Sequence, residues 1–237
     1  MRYATRMAAV GAAVLIGLAI AAPAAQSTPD PSPKVGPGVR LQMLPFDLSA
    51  DIWAWPSDPQ AWPARDTGPI RIFGREHMGK PEPAMTFEML KIGTPVRAAY
   101  SGKVLEVRAN EEGSCDYELY ISSTKPNEVV KGSYDHIIPT VKRGAVVKAG
   151  DIIGTVPAWE CDAPYGAMEL MLIEFTDQGV QALCPMKALM PKQASKIRTQ
   201  VVNLMKRWNA DPVNYPSKYT DADIARRDIC ETTYAPA

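Results

Sequence analysis

The chain has 237 residues, 46% of them hydrophobic, and its 26 basic and 26 acidic side chains cancel at neutral pH. The balanced charge, without a block of like charges, argues against a nucleic-acid partner. The length and the apolar fraction indicate one domain with a buried core and extensions.

Residues 1–25 have the layout of a secretory signal peptide. Two arginines precede an apolar run from Met7 to Ala22, and a small-residue cleavage site follows at Ala22 to Ala25. The run is short and only mildly apolar for a bilayer-spanning helix, so we expect cleavage rather than a retained anchor. Cleavage would remove two bases and leave 24 bases against 26 acids. We therefore expect a periplasmic or secreted protein that is not an integral membrane protein after leader cleavage.

Residues 26–69 are predicted to be a proline-rich linker followed by an ordered arm. Prolines recur at short intervals from Pro29 to Pro37, a composition typical of a semi-extended linker. The arm contains Trp53, Trp55 and Trp62. These side chains either pack against the domain as a cover or form an aromatic ligand-binding strip. We favour packing, because burial of large aromatic groups is favourable without any ligand.

The segment from Ile70 to Phe175 is predicted to form a mostly antiparallel sheet. Short β-branched and alternating runs are separated there by Gly, Pro and Asn. Gly102 and Gly150 fall at tight turns, where positive φ is useful. The predicted strands are Ile70–Phe73, Met85–Leu90, Pro95–Ala98, Gly102–Ala109, Glu118–Ser122, Val129–His136, Asp151–Pro157 and Ala167–Phe175.

Residues 190–237 are predicted to be a helical extension. One helical face is formed by apolar residues spaced at three and four, namely Ile197, Val201, Leu204, Met205 and Trp208. The pair Asp211-Pro212 ends this helix. A second short helix is expected to begin after Thr220, whose hydroxyl can cap the first turn.

The cysteines indicate two disulfides. All four follow the predicted leader, and disulfides persist in the compartments that receive exported proteins. They are Cys115, Cys161, Cys184 and Cys230. The sequence alone allows three pairings. A Cys-ligated metal would need closely spaced pairs such as Cys-x-x-Cys, and the chain has none.

Four sequence blocks carry a family signal: Gly93–Val104, Ser133–Ile137, Val147–Gly154 and Leu170–Phe175. In this order and spacing they resemble the LytM or lysostaphin-type zinc peptidases, which cleave peptide bridges in bacterial cell walls. The resemblance implies a LytM-like duplicated hybrid motif, a mostly β barrel-sandwich antiparallel sheet, over residues 70–189, with a C-terminal helical tail. It also implies that Cys115 pairs with Cys161 and Cys184 with Cys230.

The positions that bind zinc in the resembled peptidases differ in this chain. Those enzymes hold the ion with a His, an Asp and a second His from a His-x-His strand, leaving one position open for water. The matching positions, which we interpret as lost ligands, are Pro83, Phe87, Leu170 and Leu172. A shift of one residue brings Glu82 or Glu88 into the first pair, and other registers of the last block place Met168, Glu169 or Met171 there. Leucines at the histidine positions would fill a former metal pocket and exclude water.

The chain has only two histidines. His136 falls where the family has a histidine that assists the reaction, and we interpret it as a remnant of that residue. Glu169 is the second candidate catalytic residue. His77 is expected to be a loop residue, since the Asp position that would match it is Pro81. We expect no bound metal. If a metal is bound, the candidate ligands are Glu88, Glu169 and His136.

Three hypotheses of function follow from the resemblance and the altered positions. The first is an exported, catalytically silent LytM-like domain that acts by binding in the cell envelope. Family members without zinc ligands often regulate a cell-wall amidase, so the expected partner is a cell-wall hydrolase or peptidoglycan. The second is an active metalloendopeptidase with non-standard zinc ligands. The third is a carrier domain with its cofactor on Lys91, because Glu88 to Val104 is similar to the lysine hairpin of biotinyl and lipoyl domains. We place it last, since export removes the chain from the enzymes that load those cofactors.

Overall fold

The computed structural model describes residues 40–111, 114–123, 130–176, 179–226 and 228–236. The predicted leader, residues 1–25, and the linker up to residue 39 lie outside the described residues. Within the described part, no helix is long and apolar enough to cross a membrane.

The chain is mostly β, as the sequence predicts. The strands are β1 (Ile70–Arg71), β2 (Glu76–His77), β3 (Lys80–Pro81), β4 (Met85–Leu90), β5 (Pro95–Arg97), β6 (Gly102–Ala109), β7 (Tyr117–Ser122), β8 (Val130–Pro139), β9 (Val146–Val147), β10 (Ile152–Thr155), β11 (Gly166–Thr176), β12 (Gly179–Leu183) and β13 (Tyr234–Pro236). Every predicted strand is present, with ends that differ by a few residues. The short strands β2, β3, β9, β12 and β13 were not predicted, because two to five residues carry too little periodicity.

Eleven strands form one sheet whose main path runs β1-β4-β11-β8-β7-β6-β9. Strand β10 joins β5 to β8, and β12 joins β11 to β13, while β2 and β3 form a separate hairpin. All these pairings are antiparallel. The order makes β1, β4, β11 and β8 consecutive neighbours, although residues 70 and 176 lie far apart in sequence.

One face of this part of the sheet is packed in the core. Successive side chains of a strand point to opposite faces, and on β11 the residues Met168, Leu170 and Leu172 are fully buried. They pack with Met85 and Phe87 of β4 in the main hydrophobic cluster. The opposite face of the same strands is therefore the one available for polar side chains.

The C-terminal extension begins with the predicted helix, α1 (Pro191–Asn209). The predicted apolar residues Ile197, Val201, Leu204, Met205 and Trp208 are its buried face, together with Ala194. Trp208 stacks on Tyr215 with ring centroids 3.7 Å apart, and its indole N–H donates to the carbonyl oxygen of Ser217 at 2.7 Å. The chain after α1 is thus folded back along the helix.

A second helix, α2 (Asp221–Arg226), starts after Thr220 as predicted. The Thr220 hydroxyl accepts from the Asp223 amide at 3.2 Å, and the Asp223 carboxylate accepts from the Thr220 amide at 2.9 Å. This reciprocal arrangement satisfies donors at the start of the helix. The extension is not helical to its end, however, because β13 pairs with β12 of the sheet.

Both disulfide pairings implied by the resemblance are confirmed. Cys115 bonds to Cys161, and Cys184 bonds to Cys230. The second bridge is buried and ties the end of β12 to the tail. Beside it, the amide of Phe73 donates to the carbonyl of Ile229 at 2.6 Å. The tail is therefore joined to the segment that carries β1.

The described part of the arm packs on the end of β4. The amide of Ala54 donates to the carbonyl of Met89 at 2.7 Å, and the amide of Lys91 donates to the carbonyl of Ile52 at 2.8 Å. Trp53 is only 7% exposed. This packing agrees with the interpretation of the arm as a cover at Trp53.

Tyr219 fixes strand β1 from the tail. Its hydroxyl accepts from the amide of Ile70 at 2.9 Å and donates to the carbonyl of Ile70 at 2.7 Å. Its ring lies directly on Gly68, where a Cβ would come within 2.5 Å of the hydroxyl oxygen. One buried side chain thus replaces the neighbouring strand that β1 lacks at this edge.

We predict that Tyr219→Phe destabilises the protein by about 1–3 kcal/mol, because it leaves a buried N–H and a buried C=O without partners. The measurement is the free energy of unfolding in urea. Tyr117→Phe is the matched control, since the Tyr117 hydroxyl makes no hydrogen bond among the described residues. An equal, small effect of both substitutions would contradict the role assigned to Tyr219.

Candidate functional site

A row of polar side chains crosses four neighbouring strands on the face opposite the core. Arg71 of β1 is aligned with Thr86 of β4, Thr86 with Glu169 of β11, and Glu169 with Asp135 of β8. Residues paired across antiparallel strands project to the same face, so the four side chains are neighbours. The Thr86 hydroxyl donates to Glu169 at 3.2 Å.

Two β-bulges bring further side chains to this row. Strand β4 carries one extra residue against β11 beside Glu88 and Met89, and Met89 has a φ of 55°. Strand β8 carries one extra residue against β7 beside Asp135 and His136, and His136 has a φ of 56°. Consecutive residues of a regular strand point to opposite faces, whereas a bulge re-aims one of them. Asp135 and His136 can therefore both approach Glu169.

Arg71 lies at the centre of an acidic cluster formed with Glu82, Glu88 and Glu169. Its guanidinium donates to Glu82 at 2.7 Å and to Glu88, and it lies 4.0 Å from a Glu169 oxygen. Arg71 is 9% exposed and Glu88 is fully buried. Arg71 Nε and Glu88 Oε2 have no hydrogen-bond partner among the described residues. Among the described residues one arginine thus faces three carboxyl groups, and Arg71, Glu82 and Glu88 are largely removed from water.

Burial changes the acidity of these carboxyl groups. It raises the pKa of Glu88 to about 7, with a further contribution from the charge of Glu169, although Arg71 opposes the shift. Burial and the charge of Glu82 also raise the pKa of Glu169, against the attraction of His136 and Arg71. One arginine is therefore too little to keep all three carboxyl groups as acidic as they are in water.

His136 forms the second half of the site. Its Nδ1 lies 2.5 Å from Asp116 Oδ2, and its ring contacts Trp159 with centroids 4.6 Å apart. Burial alone would lower the pKa of His136, but the charge of Asp135 and the hydrogen bond to Asp116 raise it above the ordinary value. The geometry therefore favours an imidazolium that donates to Asp116.

The Cys115–Cys161 disulfide joins the two loops that contact His136. Asp116 follows Cys115, and Trp159 precedes Cys161 by two residues. The Cα atoms of the bridge are 5.6 Å apart. A single covalent link therefore holds both the hydrogen-bond partner and the aromatic neighbour of the imidazole.

The arm reaches this end of the site through Trp62. Its ring stacks on Trp159 with centroids 5.6 Å apart, and its carbonyl accepts a hydrogen bond from the Tyr165 hydroxyl. Three aromatic or imidazole rings, Trp62, Trp159 and His136, are consecutive in this stack. The arm therefore contacts the Trp159 ring that lies against His136.

The predicted candidates are brought together in part. Ligand atoms of Asp135, His136 and Glu169 all lie within 4.8 Å of one another, whereas Glu88 is bound to Arg71. His136, predicted as a remnant, and Glu169, the other candidate catalytic residue, are thus neighbours. Their interpretation as catalytic residues stays a prediction.

The proposed lost-ligand positions lie beside the site rather than in it. Phe87, Leu170 and Leu172 are fully buried on the core face, and Pro83 is half-buried. Strand alternation places Glu169 on the polar face, opposite to Leu170, and the expectation that the two leucines fill a former metal pocket stays a prediction. A register shifted by one residue places Glu82 or Glu88 at the first ligand positions. Both residues belong to the polar cluster around Arg71. Whether these positions are lost ligands stays a prediction.

Sequence reasoning missed Arg71, Asp116 and Trp159. Arg71 interrupts an otherwise apolar run from Ile70 to Phe73, which is a signal for a buried charge that needs partners. His77, expected in a loop, lies in the β2–β3 hairpin, where burial and the charge of Arg71 lower its pKa.

No known family profile and no curated protein matches the chain. Among solved structures it is similar to lysostaphin in solution, with 20% identity over 73% of this chain and 61% of that one, at a TM-score of 0.40. It is also similar to the antimicrobial peptidase lysostaphin from Staphylococcus simulans, with 26% identity, coverages of 58% and 54%, and a TM-score of 0.40. A zinc-containing peptidase from Vibrio cholerae matches with 23% identity, coverages of 51% and 37%, and a TM-score of 0.34.

The chain thus spans less than two thirds of each of these structures. The matches agree with the lysostaphin-type resemblance predicted from the sequence. With TM-scores below 0.5 the likeness is partial, and the chemistry of the site is taken from this chain's own contacts.

We predict that Asp116→Asn lowers the pKa of His136, because it removes a hydrogen-bonded negative charge from the imidazolium. The measurement is an NMR titration of the two imidazoles. His77 serves as the internal control, since Asp116 does not contribute to its shift. In the unchanged protein His136 should titrate above the ordinary value and His77 below it. A His136 titration unaffected by the substitution would show that Asp116 is not its partner.

We predict that the free energy of unfolding falls as the pH rises from about 5 to 8. Glu88 has a raised pKa in the folded state, so its stabilisation is complete below its unfolded pKa and is lost through about 7. Glu88→Gln should flatten this dependence by an amount on the order of 3 kcal/mol. The measurement is urea unfolding at several pH values, with Glu106→Gln, at an exposed position of β6, as the control. A flat profile in the unchanged protein would contradict the prediction.

Proposed function

We propose that this chain is an exported, catalytically silent LytM-like domain that acts by binding in the cell envelope, as a regulator of cell-wall hydrolases. The observation that carries the proposal is Arg71, whose guanidinium lies among Glu82, Glu88 and Glu169. The Arg71 side chain thus places a positive charge on the polar face, where a hydrolytic site would need a metal ion with a bound water.

The residues present do not fit a catalytic zinc centre. Such a centre needs three available ligands and one open position for water. Glu82 and Glu88 are already bound to Arg71, which remains protonated at all relevant pH values. The same guanidinium lies 4.0 Å from Glu169 and would repel a divalent cation there. A neutral imidazole is also required for binding, whereas the surroundings of His136 favour its charged form.

A metalloendopeptidase with non-standard ligands is the second candidate. The observation in its favour is the convergence of Asp135, His136 and Glu169 within 4.8 Å, a donor set of two oxygens and one nitrogen that zinc accepts. In that reading Asp116 would orient the imidazole through its 2.5 Å contact with Nδ1, leaving the other ring nitrogen for the metal. Arg71 is the main objection to it.

The carrier-domain hypothesis has the least support. Lys91 follows β4 at the start of a turn, but its ammonium forms an ion pair with Asp51 of the arm at 2.8 Å. The arm also pairs with the Lys91 backbone. A carrier lysine has to project freely to reach the enzymes that modify it, and this one is held by the arm.

Placement in the envelope, periplasmic or secreted, is supported by the two disulfides, which persist in an oxidising compartment. The contact surface would be the partly exposed end of the polar face, with Glu169 and His136, and the Trp62 and Trp159 stack at its edge. Exposed edges of stacked aromatic rings favour contact with a peptide or glycan partner. A wall hydrolase or peptidoglycan itself would meet this surface.

We predict that the unchanged protein retains no zinc after incubation and removal of excess metal, and that it does not cleave purified peptidoglycan. Arg71→Met should gain zinc binding, close to one ion per chain, because it removes the cation that pairs with Glu82 and Glu88 and that lies 4.0 Å from Glu169, the neighbour of His136 and Asp135. Retained zinc is measured by elemental analysis, and thermal unfolding with and without zinc reports binding to the folded state. Arg75→Met is the matched control, since Arg75 pairs with Asp223 and Glu231 outside the cluster.

Near-stoichiometric zinc and peptidoglycan cleavage by the unchanged protein would overturn the silent-domain proposal in favour of the second candidate. The binding role is measured separately, as co-sedimentation with purified peptidoglycan and as stimulation of a wall amidase. Absence of both effects would reject the regulatory role, whatever the metal content.

A further inference from the structure

The Cys115–Cys161 bridge differs from the second disulfide in its access to solvent. Cys161 is exposed and Cys115 is half-buried. The two cysteines of the other bridge, Cys184 and Cys230, are 0% and 5% exposed. Both bridges join residues that are 46 positions apart, so the entropy of loop closure does not distinguish them. Because a thiol must reach a sulfur atom to exchange with it, access is the property that separates the two bridges.

The exposed end of this bridge lies in a strained piece of backbone. Glu160 has a φ of 51° and Cys161 has a φ of 70°. Two consecutive non-glycine residues in the left-handed region are uncommon, and such a conformation persists only where the surroundings impose it. The bond to Cys115 is one of these restraints. Exposed or strained disulfides are typically the labile ones in proteins, so both features indicate the same bridge.

The bridge couples two loops that meet at His136. One loop carries Asp116, which contacts the imidazole, and the other carries Trp159, whose ring lies against it. Among the described residues, no hydrogen bond or ion pair joins residues 114–116 to residues 159–162. Cleavage of the bridge would therefore leave each loop with its own contacts but without a link to the other.

Acidic side chains flank the exposed cysteine. Glu160 and Asp162 are both exposed, and neither forms an ion pair among the described residues. The species that attacks a disulfide is a thiolate. A reductant that carries a carboxylate in addition would be repelled here, whereas one that carries an amine would be attracted.

We propose that the Cys115–Cys161 bridge is a redox-sensitive modification site, cleaved by a neutral or cationic dithiol while the second bridge stays intact. A thiolate of the dithiol attacks the Cys161 sulfur, the S–S bond breaks, and Cys115 leaves with the electron pair and takes up a proton. The second thiol of the reductant then displaces the Cys161 thiol and closes a disulfide within the reductant. The protein is reduced by two electrons and the dithiol is oxidised by two. Cleavage frees Trp159 to move away from His136, and this inference does not depend on the proposed function.

The first test is partial reduction of the folded protein with dithiothreitol, followed by acid quenching, alkylation of free thiols and peptide mass spectrometry. Cys115 and Cys161 should become alkylated at least about tenfold faster than Cys184 and Cys230, which are the control within the same chain. Equal rates at both bridges, or no reduction of either bridge before the protein unfolds, would overturn the proposal.

The class of reductant is tested with two further dithiols, one carrying an amine and one carrying a carboxylate. Each rate is divided by the rate of the same dithiol with a neutral model disulfide, which removes differences in thiol reactivity. The normalised rate should be higher for the amine, and the difference should shrink at high salt. Equal normalised rates would contradict the assigned class.

The structural consequence is measured as the nuclear Overhauser effect between the ring protons of His136 and Trp159, whose centroids are 4.6 Å apart. This signal should weaken when only the Cys115–Cys161 bridge is reduced. The signal between Trp208 and Tyr215, stacked at 3.7 Å, should persist and checks that the protein remains folded. An undiminished His136–Trp159 signal after cleavage would show that the bridge does not hold the two rings together.

A pair of double variants gives the same comparison without a reductant. Cys115→Ser with Cys161→Ser should weaken the contact between the two rings as reduction does. Cys184→Ser with Cys230→Ser is the matched control, because it removes the buried bridge with the same sequence separation and should leave that contact in place. Equal losses in both folded variants would overturn the proposal.

Discussion

The ion cluster around Arg71 is the constraint on which the polar face depends. Glu88 of β4, Glu169 of β11 and Glu82 of the loop before β4 converge on one guanidinium, which offsets only part of their negative charge. Replacing a buried ion cluster by apolar groups often leaves the stability of a protein unchanged or increases it. The cluster is therefore expected to fix the positions of strands and side chains rather than to add stability. It aligns β1 with β4 and fixes Glu88 and Glu169, because any other register would leave a buried charge without a partner.

The surroundings of His136 come from parts of the chain that are remote in sequence. Asp116 and Trp159 belong to two loops joined by the Cys115–Cys161 bridge, and Trp62 belongs to the arm. The disulfide, the aromatic contacts and the hydrogen bond to Asp116 thus fix the position of the imidazole. The result is an imidazole with both neighbours held in place, an arrangement that suits recognition as well as it suits catalysis.

The local parts of the structure were predictable from the sequence. Alternating runs located β4 and β6 to the residue, the three-and-four spacing of α1 gave its buried face, and Thr220 marked the start of α2. The site was predictable only in part, because bulges at Met89 and His136 change the side on which residues project. Counting back from Gly93 without a gap crosses the bulge at Met89 and gave Phe87, whereas the polar face carries its neighbour Glu88. On β11, Leu170 lies on the core face and its neighbour Glu169 on the polar face.

The anchoring of β1 by the tail has a consequence for how the molecule is assembled. Strand β1, which supplies Arg71, contacts Tyr219, and the adjoining Phe73 is bonded to Ile229 and Glu231. These partners lie about 150 residues later in the chain. The strand that carries the counter-charge of the acidic residues on β4 and β11 is therefore held in place by contacts of high sequence separation. The polar face is complete only when the segment around Tyr219 is packed against β1.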